Sequence, residues 1–136
     1  MNPDKFDLDV MVRTCGRKPI FLRRALNSIA TQLLSPSTVT IINDGTSPIT
    51  NESELAMVDM RGITVRHLFR DSELRPKPNR SAALNRGIAV ATTQWIAILD
   101  DDDTWAPNFL ERVAGMLATN EARSDFGGVI TQTEAI

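Results

Sequence analysis

The chain has 136 residues, of which 42% are hydrophobic and 24% are charged, and its formal net charge is −2. These values predict one globular domain over residues 1–136, and they exclude a disordered chain and the strongly basic surface that nucleic acid requires. No apolar run is long enough to cross a membrane, and the single Cys15 excludes an internal disulfide and favours a reducing, cytoplasmic compartment.

Apolar runs separated by polar loops predict strands that alternate with helices. The predicted strands cover residues 8–14, 39–43, 63–69, 95–99 and, more weakly, 127–133. The predicted helices cover 19–33, 52–59 (a weak one), 80–90 and 107–117, and a charged loop covers 70–78. This alternation predicts an α/β fold with a mostly parallel sheet, the strand order 3-2-1-4 and helices on both faces.

The most informative stretch is WIAILDDDDTW, residues 95–105, in which four aspartates follow an apolar run. Ligands bind beyond the carboxyl ends of strands in such sheets, and four crowded carboxylates repel each other unless a cation faces them. Carboxylate oxygens without a nearby His or Cys favour Mg²⁺ or Mn²⁺ over zinc. The alternative is an acidic turn before a helix that opens at Pro107, with Asp103 or Thr104 near its cap; that explains one or two acids but not four.

Polar residues also end the first and second predicted strands, at Thr14 to Arg17 and at Asn43 and Asp44. The predicted strand order brings these ends around one crevice with the aspartates. A nucleoside diphosphate suits this crevice, because Asp44 can accept from a base N–H while a metal bridges the phosphates. Neither GxGxxG nor GxxxxGK[ST] occurs, which argues against a dinucleotide enzyme and a Walker-type ATPase.

Several segments, in order along the chain, resemble the family 2 glycosyltransferases, which are inverting enzymes of the GT-A fold. They are residues 10–14 with Arg17, 22–32, 41–47 (similar to VVDDGS), 79–88 (similar to SAARNxGI) and 95–105 (similar to FLDDDDxW). The resemblance implies a Rossmann-like GT-A nucleotide-binding sheet. It also implies a nucleoside-diphosphate sugar as ligand, a UDP-sugar first, with Mn²⁺ or Mg²⁺ as cofactor.

The resemblance further implies roles for single residues. The nucleotide-binding residues would be Thr14, Arg17, Asp44, Arg80, Asp100 and Asp101, with Asp44 at the base edge. The metal ligands would be Asp102, as the principal one, and Asp100. Asp103 would lie next to the metal ligands without binding the metal itself, or would cap the following helix.

The chain departs from the family pattern at three points. Asn43 replaces the first acid of the paired aspartates, and Leu84 replaces the usual arginine of the fourth segment. The family's catalytic base lies beyond the aspartate run, and Glu134 matches no motif for it. The chain is therefore expected to be truncated before the acceptor half, with its catalytic residue unknown.

Two other functions fit parts of the sequence. A non-catalytic or partner-dependent nucleotide-sugar-binding module would expose a sheet edge that either a second copy, as a homo-oligomer, or another chain could cover. A phosphatase of the haloacid dehalogenase type is suggested by the DxDxT pattern from Asp100 to Thr104. That pattern opens the domain in those enzymes, whereas here only a short stretch follows it.

Overall fold

The computed structural model describes residues 5–15, 19–45, 58–69 and 79–131 as a four-stranded sheet with three helices. In chain order the elements are β1 (Lys5–Thr14), α1 (Pro19–Ala30), β2 (Ser35–Asn43), β3 (Thr64–Phe69), α2 (Arg80–Val90), β4 (Trp95–Asp100) and α3 (Phe109–Asn120). None of these helices has the length and apolarity that would let it span a bilayer.

All strand pairs are parallel, and the strand order is β3-β2-β1-β4, as predicted. The register places Thr14 opposite Asn43 and Arg13 opposite Asp100. The carboxyl ends of β2, β1 and β4 therefore meet at one edge of the sheet, and that edge carries the polar residues singled out in the sequence.

Each face of the sheet has its own hydrophobic core, because alternate side chains of β1 point to opposite sides. On one face α1 and α3 cover a cluster that includes Val10, Val12 and Leu110, which are fully buried. On the other face α2 covers Met11 and Ile42. Helices on both faces were predicted, and the two clusters confirm them.

Helix α2 lies very close to the sheet at Gly87. A Cβ atom at this position would lie 2.5 Å from Ile42 Cδ1 and 2.8 Å from Met11 Sδ. The absence of a side chain is what lets the helix backbone approach the strands. The same approach places the N-terminus of α2 next to the carboxyl end of β2.

The predicted fifth strand is wrong where it can be compared: residues 127–131 have no regular secondary structure, and 132–133 lie outside the described residues. The Gly127–Gly128 pair offers no side chain for packing, and Ile130 is fully exposed, so nothing stabilises an extended pairing here. Ile88 on the helix of residues 80–90 and Met116 on the helix of residues 109–120 are half exposed.

Other predictions fall partly outside the described residues. The weak helix is undescribed over 52–57, and Val58 and Asp59 are not helical; the charged loop at 70–78 is undescribed. Helix α1 ends at Ala30, three residues earlier than its apolar pattern predicted, so Leu33 is outside the helix and 69% exposed.

Asp9 is a buried carboxylate on the face of the sheet that α2 covers, near the C-terminal end of that helix. It is 1% exposed, and Thr40 Oγ1 donates to it at 2.9 Å. Arg66 Nη1 lies 3.8 Å from Asp9 Oδ2 and donates to the carbonyl oxygen of Val90, the last residue of α2, at 2.9 Å. Burial raises the pKa of Asp9 above its ordinary value of 3.8, against the opposing influence of Thr40 and Arg66.

This burial predicts that Asp9→Asn is at least as stable as the wild type at neutral pH. The folded state holds the Asp9 proton more tightly than the unfolded state, so the wild-type free energy of unfolding falls as pH rises from about 4 through the raised pKa. Asparagine keeps an acceptor for Thr40 and cannot ionise, and Arg66 keeps its bond to the Val90 carbonyl oxygen, so we expect a gain in stability at pH 7 that shrinks towards pH 4. Urea unfolding followed by circular dichroism at both pH values measures it.

The matched control is Asp7→Asn, which removes an exposed carboxylate from the same strand. Asparagine at position 7 can still accept from the Gln94 N–H, so the control changes one carboxylate of β1 without altering a buried position. An Asp9→Asn protein that is less stable than wild type at pH 7, with the wild-type pH dependence intact, would contradict the account.

Candidate functional site

Polar residues from three strands meet at the carboxyl edge of the sheet. Arg13 on β1 is the register partner of Asp100 on β4. The Asp44 backbone N–H donates to the Thr14 carbonyl oxygen at 2.7 Å, which extends the β1–β2 pairing one residue past β2. Between β1 and β4 the strand order reverses direction, and in open α/β sheets this is where ligands bind.

Three carboxylates come together directly after β4. Asp100, Asp102 and Asp103 each offer an oxygen, and these oxygens lie within 4.8 Å of one another. Asp100 is half-buried, whereas Asp102 and Asp103 are exposed, and the half-buried Asp101 is not part of the group. An all-carboxylate donor set that is open to solvent fits Mg²⁺ or Mn²⁺, which bind oxygen ligands and keep several waters.

The grouping brings together the two residues predicted as metal ligands, Asp102 and Asp100, and adds Asp103. The pKa of Asp103 is raised by partial burial of its carboxyl group, although the residue as a whole is exposed, and then by the charges of Asp102, Asp100 and Asp101. The crowding therefore disfavours ionisation at Asp103, and a cation would relieve it.

Helix capping does not explain the aspartate run. Helix α3 begins at Phe109 with Asn108 at its N-cap, so residues 104–108 separate it from the run. The expectation that Pro107 opens this helix with Asp103 or Thr104 near its cap is wrong. The chain instead makes a tight turn, in which the Phe109 N–H donates to the Ala106 carbonyl oxygen at 3.0 Å.

The segment after the aspartates is held by Ser28 in the last turn of α1 and by Gln32, two residues after the helix. Gln32 is 6% exposed; its Nε2 donates to the Ala106 carbonyl oxygen at 2.7 Å, and its Oε1 accepts from the Leu110 N–H at 2.9 Å. Ser28 Oγ accepts from the Trp105 N–H at 3.2 Å. These bonds fix the backbone that follows the carboxylates.

The end of β2 is shaped by a local turn. Asn43 Oδ1 accepts from the Gly45 N–H at 2.9 Å. A carboxylate could accept the same bond, which explains physically how asparagine can stand in place of the first acid of the paired aspartates that the resemblance implied. Gly45 packs directly on the Cys15 carbonyl group, so the loops after β1 and β2 touch.

Asp44 is 4% exposed and is bound by groups from two other elements. Its Oδ2 accepts from the Asn79 N–H at 2.7 Å and lies 3.5 Å from Arg13 Nη2. Asn79 is the N-cap of α2, and its side chain accepts from the Ala82 N–H at 3.0 Å. Asp44 thus connects the end of β2 to the start of α2.

The remaining predicted site residues lie in different environments. Thr14 is 1% exposed, so its side chain is enclosed by protein in this structure. Arg80 is exposed and is the first residue of α2, one position after Asn79. Arg17 lies outside the described residues. Ligand contacts by these residues stay predictions.

Sequence reasoning did not assign three residues that shape the site: Arg13, Asn79 and Gln32. Arg13 had a usable signal, because strand alternation places it on the α2 side of β1 at the same edge as Asp44. Asn79 precedes a helical pattern and is a preferred N-cap residue, but its bond to Asp44 joins residues far apart in sequence. Gln32 has no local signal.

Comparisons with known proteins define the class and then the family. The crystal structure of S. aureus TarS is similar to this chain, with a TM-score of 0.65 and 17% identity, and the match covers 85% of this chain and 20% of that chain. A shorter structure, TarS 1–349, has a TM-score of 0.67 and 16% identity, and the match covers 93% of this chain and 39% of that chain. At this identity the likeness shows a shared fold.

The sequence comparison is more specific. Residues 9–134 match the family model described as Glycosyl transferase family 2, and the chain belongs to that family. An uncharacterized glycosyltransferase of Nostoc sp. is 28% identical over 116 residues, which cover 85% of this chain and 33% of the relative. The succinoglycan biosynthesis protein ExoW of Rhizobium meliloti is 33% identical over 107 residues, which cover 76% of this chain and 31% of the relative. The chain spans about a third of the length of these relatives.

Proposed function

We propose that this chain binds a nucleoside-diphosphate sugar, with a UDP-sugar as the first candidate, through a divalent cation, for inverting transfer of the sugar to an acceptor hydroxyl. The observation that carries the proposal is the carboxylate group of Asp100, Asp102 and Asp103 at the same sheet edge as Asp44. At one end of this edge the carboxylate group can bind a cation. At the other end the buried Asp44 carboxylate can accept a hydrogen bond from a base N–H.

Different residues of the crevice would bind the cation and the nucleoside. Asp100 and Asp102, with Asp103 adjoining, would hold Mn²⁺ or Mg²⁺, which when bound neutralises negative charge on the diphosphate leaving group. Asp44 would accept from the base, and the exposed Arg80 would approach the nucleoside. The base that deprotonates the acceptor is not assigned to any residue of this chain.

The class of acceptor follows from a relative. ExoW is named for succinoglycan biosynthesis. A hydroxyl of a growing saccharide is therefore the acceptor class we propose first. A nucleotide-sugar-binding module that depends on a partner for catalysis is the second candidate.

A thermal-shift panel tests the proposal. Nucleoside diphosphates are added with and without Mn²⁺, and saturation at one hundred times Kd is expected to stabilise the fold by about 2.7 kcal/mol. We expect UDP with Mn²⁺ to raise Tm more than UDP or Mn²⁺ alone. No shift with any nucleoside diphosphate would reject donor binding, and release of phosphate from an aryl phosphate that Asp100→Asn abolishes would favour the phosphatase reading.

Asp44→Ala is expected to weaken UDP binding through the base. Loss of a hydrogen bond to a charged acceptor corresponds to about a tenfold or larger rise in Kd. Binding of pyrophosphate with Mn²⁺, which has no base, is expected to change little. Calorimetry with both ligands measures the two effects, and an equal loss for both would contradict a base contact.

A further inference from the structure

Arg13 lies between the two halves of the proposed binding crevice. Its register partner on β4 is Asp100, the first residue of the carboxylate group. On its other side, Nη2 is 3.5 Å from Asp44 Oδ2, and the two side chains are 19% and 5% exposed. The guanidinium group is thus largely enclosed and faces the residue proposed to contact the nucleotide base.

Two groups fix the same oxygen of Asp44. The Asn79 N–H donates to Oδ2 at 2.7 Å, and the Arg13 guanidinium approaches Oδ2 from β1. Asn79 belongs to α2 and Arg13 belongs to the sheet, so they hold the carboxylate from different elements. Both of these contacts, which are made by described residues, involve Oδ2, and Oδ1 takes part in neither.

One N–H group of Arg13 lowers the stability of the fold. Its Nε is buried and has no hydrogen-bond partner in the part of the chain that the structure describes. An unsatisfied buried donor costs about 1–3 kcal/mol. An apolar side chain of similar length would avoid this cost but would leave the buried Asp44 carboxylate without a cationic partner, so the contact with Asp44 is what favours an arginine here.

We propose that Arg13 is a positioning residue, whose guanidinium holds Asp44 so that Oδ1 is presented to the base of the nucleotide. The inference rests on the proposed function, because the nucleotide is what Asp44 would contact. It assigns Arg13 an effect on recognition of the base that acts through Asp44.

The test compares Arg13→Met, Arg13→Lys and Asp44→Asn by calorimetry with UDP and with pyrophosphate, both with Mn²⁺. Arg13→Met is expected to raise the Kd for UDP about tenfold, the range seen when a group that orients a ligand is removed. It should leave pyrophosphate binding unchanged, and Arg13→Lys, which keeps the charge, should restore part of the loss. In the Asp44→Asn background, Arg13→Met should have little further effect on UDP.

Three binding results would overturn the inference. An unchanged Kd for UDP in Arg13→Met would show that Asp44 needs no help from Arg13. A loss that persists in the Asp44→Asn background, or that is equal for pyrophosphate, would show that Arg13 acts on the ligand directly. Tm of Arg13→Met within about 2 °C of wild type separates these effects from unfolding.

A measurement on the free protein separates this inference from the proposed function. Hydrogen exchange at the Asn79 amide reports the bond to Asp44 Oδ2 and needs no nucleotide. Exchange is expected to be several-fold faster in Arg13→Met than in wild type, with Arg13→Lys between them, and equal rates would overturn the positioning role. If exchange responds while the wild type binds no nucleoside diphosphate, the proposed function fails and the structural part of the inference stands.

Discussion

Asp102→Ala is expected to abolish the Mn²⁺-dependent binding of a nucleoside diphosphate while leaving the fold intact. Asp102 is exposed and contributes one of the three oxygens that lie within 4.8 Å of each other. Groups that only orient metal ligands cost ten- to a hundredfold in affinity when removed, so loss of a direct ligand should cost about a hundredfold or more. Calorimetry of UDP binding with Mn²⁺ and with EDTA measures it.

The control for Asp102→Ala is Asp125→Ala, which removes the same charge from an exposed position paired with Arg123. It is expected to leave the Kd unchanged. Asp102→Ala also relieves repulsion among neighbouring carboxylates, so the Tm of the ligand-free protein should stay the same or rise slightly. An unchanged Kd in Asp102→Ala, or an equal loss in both variants, would contradict the metal assignment.

Gly45→Ala is expected to give the largest loss of stability among single-methyl additions at the site. A Cβ at Gly45 would collide with the Cys15 carbonyl oxygen and would lie 3.0 Å from Asn43 Oδ1. The Cys15 carbonyl oxygen is a backbone atom, so it cannot rotate away as a side-chain atom can. Overpacking of this kind costs about 1–3 kcal/mol, and we expect the upper part of that range.

The matched control is Gly115→Ala. Gly115 lies inside α3, and a Cβ there would meet nothing within 4 Å. Alanine is favoured over glycine inside a helix by about 0.5–1 kcal/mol, so this variant should be slightly more stable than wild type. Urea unfolding of both variants gives the comparison, and similar midpoints for the two would show that the loops after β1 and β2 do not pack as described.

The sheet and the outline of the site were predictable because their signals are local. Apolar runs that end in polar residues marked β1, β2 and β4, and parallel pairing then placed Thr14, Asp44 and Asp100 at one edge. The carboxylate group was predictable for the same reason, since its members are neighbours in sequence.

The remaining features depend on contacts between residues that are distant in sequence. The pairing of Arg13 with Asp44 and the bond from Asn79 to Asp44 arise only when the register and the position of α2 are set. The fifth strand was predicted from apolar residues, but a strand needs a partner to satisfy its backbone. The start of α3 was misplaced because Pro107 suits a turn as well as a first helical turn.

The contacts of Gln32 restrict how this part of the chain can change in length. Its amide reaches Ala106 on one side and the first turn of α3, at Leu110, on the other. One inserted residue between these points would rotate the buried face of α3 by about 100° or break both bonds. Four aspartates placed after a strand therefore do not reproduce this site in another protein unless the spacing from the last aspartate to α3 is reproduced with them.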